Sequence, residues 1–241
     1  MSTSKEKNIR LLAIDTSTDC LSVAVMENAR CLRRFHRRIG RNHSRLLVSV
    51  IETLLRRSAT RLDQLDGFAV SVGPGSFTGL RIGVTTVQAL AFCSGKKIVT
   101  VSAMDAIARG IETTLRADGA ESYEYVCPMT DARKTKVYAA LFRVRGSTLE
   151  RVSDDLLLPL DHLFGIMKGR VLFLGNGAAA YRDDIARNVP LAGFCGDTDW
   201  YPRAVHVGTL GLEKFRKKDF TPVHDLVPRY LYSKECDITG F

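Results

Sequence analysis

No apolar run in this 241-residue chain approaches the ~18 residues that a membrane span needs. The opening MSTSKEKNIR is polar, and only four apolar residues separate it from Asp15, so it does not read as a signal peptide. The six cysteines (Cys20, Cys31, Cys93, Cys127, Cys195 and Cys236) form no CxxC pair and no metal-ligand spacing. They read as reduced thiols, and the expected compartment is the cytoplasm. The histidines (His36, His43, His162, His206 and His224) include no HxxxH or HxxH pair, so no two fall on one helical turn as metal ligands. No Ser-His-Asp or Cys-His order stands out. The residues alone commit to no catalytic chemistry and no resident metal.

Acidic residues are scarce in one segment. Between Arg30 and Arg61 lie ten arginines and one acid, Glu52, while the rest of the chain balances at 25 basic and 25 acidic residues. The whole net charge of +9 therefore sits there. Arginine suits bidentate phosphate contacts, so Arg33, Arg34, Arg37, Arg38 and Arg41 are candidates for a nucleic-acid-contact patch. A solvated face or a protein docking site would carry the same charge.

The elements follow from periodicity. IRLLAIDT (9–16), CLSVAVME (20–27) and RCLRRFHRR (30–38) read as three strands with short turns. The third has arginine on both faces and reads as an exposed edge strand blunted by charge. From His43 to about 58, Leu46, Leu47, Val50, Ile51, Leu54 and Leu55 recur at helical spacing. GFAVSV (67–72) is a strand, Thr78–Cys93 a helix apolar most of the way round, IVTVSA (98–103) a strand and Met104–Leu115 a helix. A second series begins with strands at 123–133, 136–146 and 148–158. A short helix near 161–167, a strand at 170–176, a helix at 179–188 and a last helix near 206–217 follow. The first ~100 residues read β-β-β-α-β-α-β, and the second series repeats that topology in its element order, which predicts two α/β lobes with mixed sheets and a cleft between them.

Three turns are candidates for binding. SVGPGSFTGLRIG (71–83) is glycine-rich, but GxGxxxG matches neither GxGxxG nor GxxxxGK[ST]. Its better reading is a tight turn, a cap from Ser76 or Thr78, and glycines at 79 and 83 that admit another backbone. DTST (15–18) places an acid and three hydroxyls at a strand end, suited either to a hydrated metal and phosphate or to a polar turn. TDAR (130–133) occupies the equivalent place in the second series, with LGNGAAA (174–180) at a later turn; Ala132 and Arg133 stand where a glycine would let the backbone approach a phosphate.

LLAIDTSTDCLSVAV, GPGSFTGLRIGVTTVQALA and DARKTKVYAALF together make the chain resemble the bacterial TsaB (YeaZ) family of the tRNA N6-threonylcarbamoyladenosine (t6A37) pathway. The resemblance covers nearly the whole chain and weakens beyond about residue 150. It implies a duplicated ribonuclease H-like, actin/Hsp70/sugar-kinase-like fold. The lobes would span 1–103 and 104–241, with the C-terminal helix packing back across them. It also implies a non-catalytic subunit that binds and activates the transferase TsaD, with the ATPase TsaE as a third component. On this reading the chain has no cofactor of its own; ATP and metal belong to the partner subunits, tRNA is met through the complex, and no membrane is involved. The partner surface, which would also serve a homodimer when the chain is alone, would comprise Leu46, Leu47, Val50, Ile51, Leu54, Phe77, Leu80, Gly83, Val84 and Val87. A vestigial nucleotide site would comprise Asp15, Thr16, Ser17, Asp131, Gly175 and Gly177. The competing expectation is an active ATPase or phosphotransferase using Asp15 and Asp131.

Overall fold

The computed structural model describes residues 8–117, 123–196 and 201–231; the tail KECDITGF, with Cys236, lies outside the described residues. The chain divides into two compact units. The first takes the residues through Val72, Thr78–Val101 and Arg203–Val227, and the second takes Gly73–Phe77, Ser102–Pro202 and the residues from Pro228 on.

In the first unit β1 (Arg10–Asp15), β2 (Cys20–Glu27) and β3 (Arg30–Arg38) form an antiparallel meander. The chain continues through α1 (His43–Arg57), β4 (Gly67–Ser71), α2 (Phe77–Ser94) and β5 (Lys97–Val101). The sheet order is β3-β2-β1-β4-β5, with β4 parallel to both β1 and β5. β1, β2 and β4 are buried almost throughout, which is why they read as continuous apolar runs rather than alternating ones. Leu12 and Ile14 join Leu47, Ile51, Val84 and Val87 of α1 and α2 in one core. β3 is the outer strand and is exposed or half-buried along its length, as its doubled arginine faces predict.

The second unit holds α3 (Ala103–Ala117), β6 (Tyr125–Asp131), β7 (Lys136–Ala139), β8 (Phe142–Arg145), β9 (Thr148–Arg151) and β10 (Leu156–Pro159). After these come α4 (Leu160–Ile166), β11 (Val171–Leu174), α5 (Asn176–Ala180), α6 (Arg182–Asn188) and β12 (Ala192–Phe194). Its sheet runs β10-β7-β6-β11-β12, with β8 paired to β6 and β9. As in the first unit, two antiparallel neighbours precede two parallel ones. The duplication is therefore one of topology.

Three single elements expected from the sequence are each divided. The strand at 136–146 becomes β7 and β8, although both hold the same register against β6. The break falls opposite Pro128, which accepts a hydrogen bond from the Ala140 amide at 3.2 Å but has no N–H to return one. The strand at 148–158 becomes β9 and β10. Ala139 pairs with Leu156 and Phe142 with Arg151, so two residues on one strand face four on the other. That bulge holds Asp155, which is buried. The helix at 179–188 becomes α5 and α6, broken at Tyr181 (φ −115°, ψ 25°). β12 has only three residues and gave no periodic signal.

The last helix of each series serves the other unit. α3 packs on β6 and β9, whereas α7 (Ala204–Arg216) packs on β1, β2, β4 and β5. Residues 203–227, which the sequence put in the second lobe, thus belong to the first unit. No described helix is long and apolar enough to cross a membrane.

Candidate functional site

The C-terminal end of β1 carries Asp15, with no accessible surface. Its Oδ1 accepts from the Ser17 amide at 3.1 Å, and the Ser17 hydroxyl donates at 3.0 Å to the carboxylate. The amide contact two residues on is an Asx turn, which fixes the bend from β1 into β2. Burial pushes the Asp15 carboxyl up to about 6, although Ser71 and Ser17 pull it down. The Ser71 hydroxyl, at the end of the neighbouring β4, faces the carboxylate without a hydrogen bond of normal geometry. Sequence reading missed Ser71; its signal was a lone polar residue closing an apolar strand parallel to β1.

Thr16 is also buried, and its hydroxyl has no hydrogen-bond partner among the described residues. A Cβ at Gly83 would lie 2.3 Å from Thr16 Oγ1, so α2 lies directly over the DTST turn. Asp15, Thr16 and Ser17 are thus brought together, but their polar atoms face the chain's own interior. A phosphate-binding turn presents its amides and hydroxyls outward; this one is roofed.

In the second unit Asp131 ends β6 at the equivalent position. It is half-exposed, and its Oδ1 accepts from the Arg133 amide at 2.8 Å and the Tyr181 hydroxyl at 3.0 Å. Asn176 Oδ1 accepts from the Asp131 amide at 3.3 Å. Burial first, then Asp131, raises the Tyr181 hydroxyl pKa. Neither Asn176 nor Tyr181 was among the predicted site residues. Gly175 (φ 98°) and Gly177 are buried against this strand: Cβ atoms there would lie 2.1 Å from Met129 O and 2.9 Å from Thr130 C. These glycines seat α5 on β6. The link to β7 runs through Arg133, Lys134 and Thr135, all with positive φ (66°, 50° and 58°), and places two cations beside the strand end.

SVGPGSFTGLRIG resolves into a turn and a helix start. Gly73 has φ 101°, its carbonyl accepts from the Ala103 amide at 2.8 Å, and α2 begins at Phe77, which puts Ser76 rather than Thr78 at the capping position. The second cover for the apolar α2 is the chain itself. Gln88 donates to Val223 O at 3.3 Å and Leu226 O at 2.8 Å, and Leu226 is buried. Most of the predicted partner surface is accordingly internal. Leu47, Ile51, Leu54, Leu80, Gly83, Val84 and Val87 are buried, Leu46 and Val50 are half-buried, and only Phe77 is exposed. A helical stripe of apolar residues marks the side facing the sheet, so it picks out the core before any outer surface. The outward faces carry instead Val48 on α1 and Arg81, Thr85, Ala89 and Phe92 on α2. Phe92 and Val48 are 81% and 63% exposed.

Among the described residues no cluster of His, Cys, Asp and Glu could hold a metal ion. Arg33, Arg34, Arg37, Arg38 and Arg41 are all exposed on β3 and the turn that follows; Arg38 meets Asp19.

The chain has clear relatives in sequence and in fold. The family model described as "TsaD: tRNA N6-adenosine threonylcarbamoyltransferase" matches residues 33–210. The tRNA threonylcarbamoyladenosine biosynthesis protein TsaB of Bacillus subtilis is 31% identical over 231 residues, covering 94% of this chain and 96% of that one. The chain belongs to the bacterial TsaB (YeaZ) family. The structure of YeaZ from Pseudomonas aeruginosa superposes with a TM-score of 0.77 at 25% identity, covering 92% of this chain and all of that one. The fold extends to kinases: an inorganic polyphosphate/ATP-glucomannokinase from Arthrobacter matches with a TM-score of 0.52 at 13% identity over 86% of this chain and 99% of the other. The TsaB-family chain thus has the duplicated ribonuclease H-like fold of the sugar kinases.

Proposed function

We propose that this TsaB-family chain is a non-catalytic subunit of the t6A37-forming assembly, one that binds and activates the transferase TsaD. The observation that carries the proposal is the closed turn after β1. A kinase or ATPase must admit phosphate and metal at such a strand end. Here Asp15 has no accessible surface, Ser17 is hydrogen-bonded to it, and the backbone of α2 at Gly83 covers Thr16. A carboxyl with its pKa near 6 and no exposure is poorly suited to hold a cation. Asp131 is engaged by Tyr181 and the Arg133 amide.

The near full-length match to a protein of t6A biosynthesis supports the pathway, and the family model named for the transferase supports a paralogous partner. The docking face we assign is the outer side of α1 and α2, with Val48, Thr85, Ala89 and Phe92 at its centre and Leu46 and Val50 at its margin. The same face would pair two copies when the transferase is absent. ATP and metal chemistry then reside on the partner subunits, and TsaE would join the assembly as its ATPase.

The test is co-purification of tagged TsaD with Val48→Glu/Ala89→Glu, both exposed positions that a folded chain tolerates. Loss of TsaD from a variant with an unchanged melting temperature supports the assigned face. Retention of TsaD at wild-type yield would sink it.

A further inference from the structure

Ten arginines and no lysine lie between residues 30 and 61, although the chain carries eleven lysines elsewhere. All ten are exposed. Eight make no ion pair among the described residues; the others are Arg38, which meets Asp19, and Arg61, which meets Asp63. A surface charged only for solubility mixes signs. The segment from 30 to 61 has Glu52 as its single acid.

The placement is ordered. β3 is the outer strand of its sheet. Arg33, Phe35 and Arg37 share one face of β3; Phe35 packs on the core shared with α1, and the two arginines flanking it are exposed. Arg41 follows in the turn, and Arg45 lies in the first turn of α1. These four guanidinium groups therefore run from the strand through the turn to the helix start. Arg33 and Arg37 are four residues apart, about 13 Å along the strand, roughly two steps between successive phosphates of a nucleic-acid strand.

Arg45 is also badly placed for the helix alone. A cation at a helix N-terminus opposes the dipole, the first turn of α1 holds no acid, and Asn42 provides no side-chain cap. The Asn42 side chain donates instead to Ile39 O at 2.9 Å. An anion held here would satisfy both the helix end and the guanidinium groups.

We infer that the surface of β3, the following turn and the start of α1 binds the phosphate backbone of structured RNA, and holds the tRNA on which the assembly acts. The inference rests on the reading of the chain as part of that assembly. Arginine favours phosphate through its bidentate fork. A membrane-surface site would interleave exposed apolar anchors with the basic residues, whereas the apolar residues of β3, Leu32 and Phe35, pack inward on the core.

The experiment is filter binding of an unmodified tRNA transcript by the full chain, alone and with TsaD, across a salt series. The test variant is Arg33→Gln/Arg37→Gln/Arg41→Gln/Arg45→Gln, and the control is Lys96→Gln/Lys97→Gln/Lys217→Gln/Lys218→Gln, which removes equal charge elsewhere. The test variant should lose ~10-fold or more in affinity, and the slope of log affinity against log salt should become shallower by about 3, since each phosphate contact contributes roughly 0.7–0.9. The control should keep the wild-type slope. Equal slopes for test variant and wild type would overturn the inference, as would a shared loss in test and control. Arginine-dependent binding of phosphatidylserine vesicles or polyglutamate without tRNA binding would overturn it in favour of a membrane or an acidic protein. Failure of the wild-type chain to capture TsaD would remove the assembly reading, while the chain-alone arm still decides the RNA contact. Melting temperatures of both variants within a few degrees of wild type establish that binding, not folding, is being read.

Discussion

The hydroxyl of Thr16 occupies the space that a Cβ at Gly83 would need, 2.3 Å from the ideal Cβ position. A turn at the end of the first strand and a helix in the glycine-rich motif are thereby locked together. Gly83→Ala should destabilise the chain by about 1–3 kcal/mol through overpacking, despite alanine's helix propensity. Thr16→Ala removes both Oγ1 and Cγ2, leaving Cβ at 3.4 Å as the nearest atom of that residue. The double variant should recover most of the loss. Urea unfolding of the four proteins of this cycle measures the coupling, and strictly additive effects would deny the contact.

Asp15 makes stability depend on pH in a definite sense. Burial raises its folded-state pKa to about 6 from an ordinary 3.8, so folding favours the protonated form. Its contribution is fully present below about pH 4 and is lost as pH rises through 6, a cost approaching 3 kcal/mol above pH 7. Asn keeps the acceptor that receives the Ser17 amide but cannot ionise. Asp15→Asn should therefore be more stable than wild type at pH 7.5 and lose that advantage by pH 4.5. Unfolding curves at both values check this, and an Asn variant less stable at pH 7.5 would refute the assignment.

In the second unit the bulge between β9 and β10 turns Asp155 inward, where it accepts from Ser102 Oγ at 2.8 Å, Arg151 at 2.5 Å and Arg229 at 2.8 Å. Arg151 also reaches Asp105 at 2.6 Å. Arg151→Met leaves two carboxylates short of a partner, one with a fully buried side chain, and should cost about 3–5 kcal/mol. Arg229 is half-exposed, and Arg229→Met should cost about 1 kcal/mol or less. Thermal melts of the two variants should rank in that order.

The thiols should separate by reactivity. Burial is the largest cause that pushes Cys20 and Cys127 up to about 12, whereas Cys93 is exposed. A thiol reagent at pH 8 should modify Cys93 within minutes and spare Cys20 and Cys127 until denaturant is added. Mass spectrometry of digests reads the order directly.

Much of this fold is legible in the sequence. The meander, the two helices and the charged outer strand follow from unambiguous periodicity, and the repeat was visible in element order. The misread positions share a physical reason. Pro128 interrupts a ladder from the facing strand, and the bulge at 152–155 adds residues without altering composition, so neither changes the local pattern of its own segment. The candidate site was half legible. Asp15 and Asp131 lie at strand ends, as their polar turns predict, yet their inward or engaged state depends on Gly83, Ser71, Asn176 and Tyr181, which are remote in sequence. The residues expected at the partner surface are mostly buried. A periodic apolar stripe identifies what faces the sheet, and the outward surface of α1 and α2 is left to residues with no period to announce them.

If the chain assists catalysis without performing it, product formation requires the chain but not its Asp15 carboxylate. The most direct measurement is t6A formation on tRNA by purified TsaD and TsaE, supplied with ATP and the threonylcarbamoyl donor, with and without this chain and with its Asp15→Asn variant. Negligible product is expected without the chain, and full product with either wild type or Asp15→Asn. Full turnover in its absence, or a loss of turnover confined to Asp15→Asn in a stably folded complex, would contradict that role.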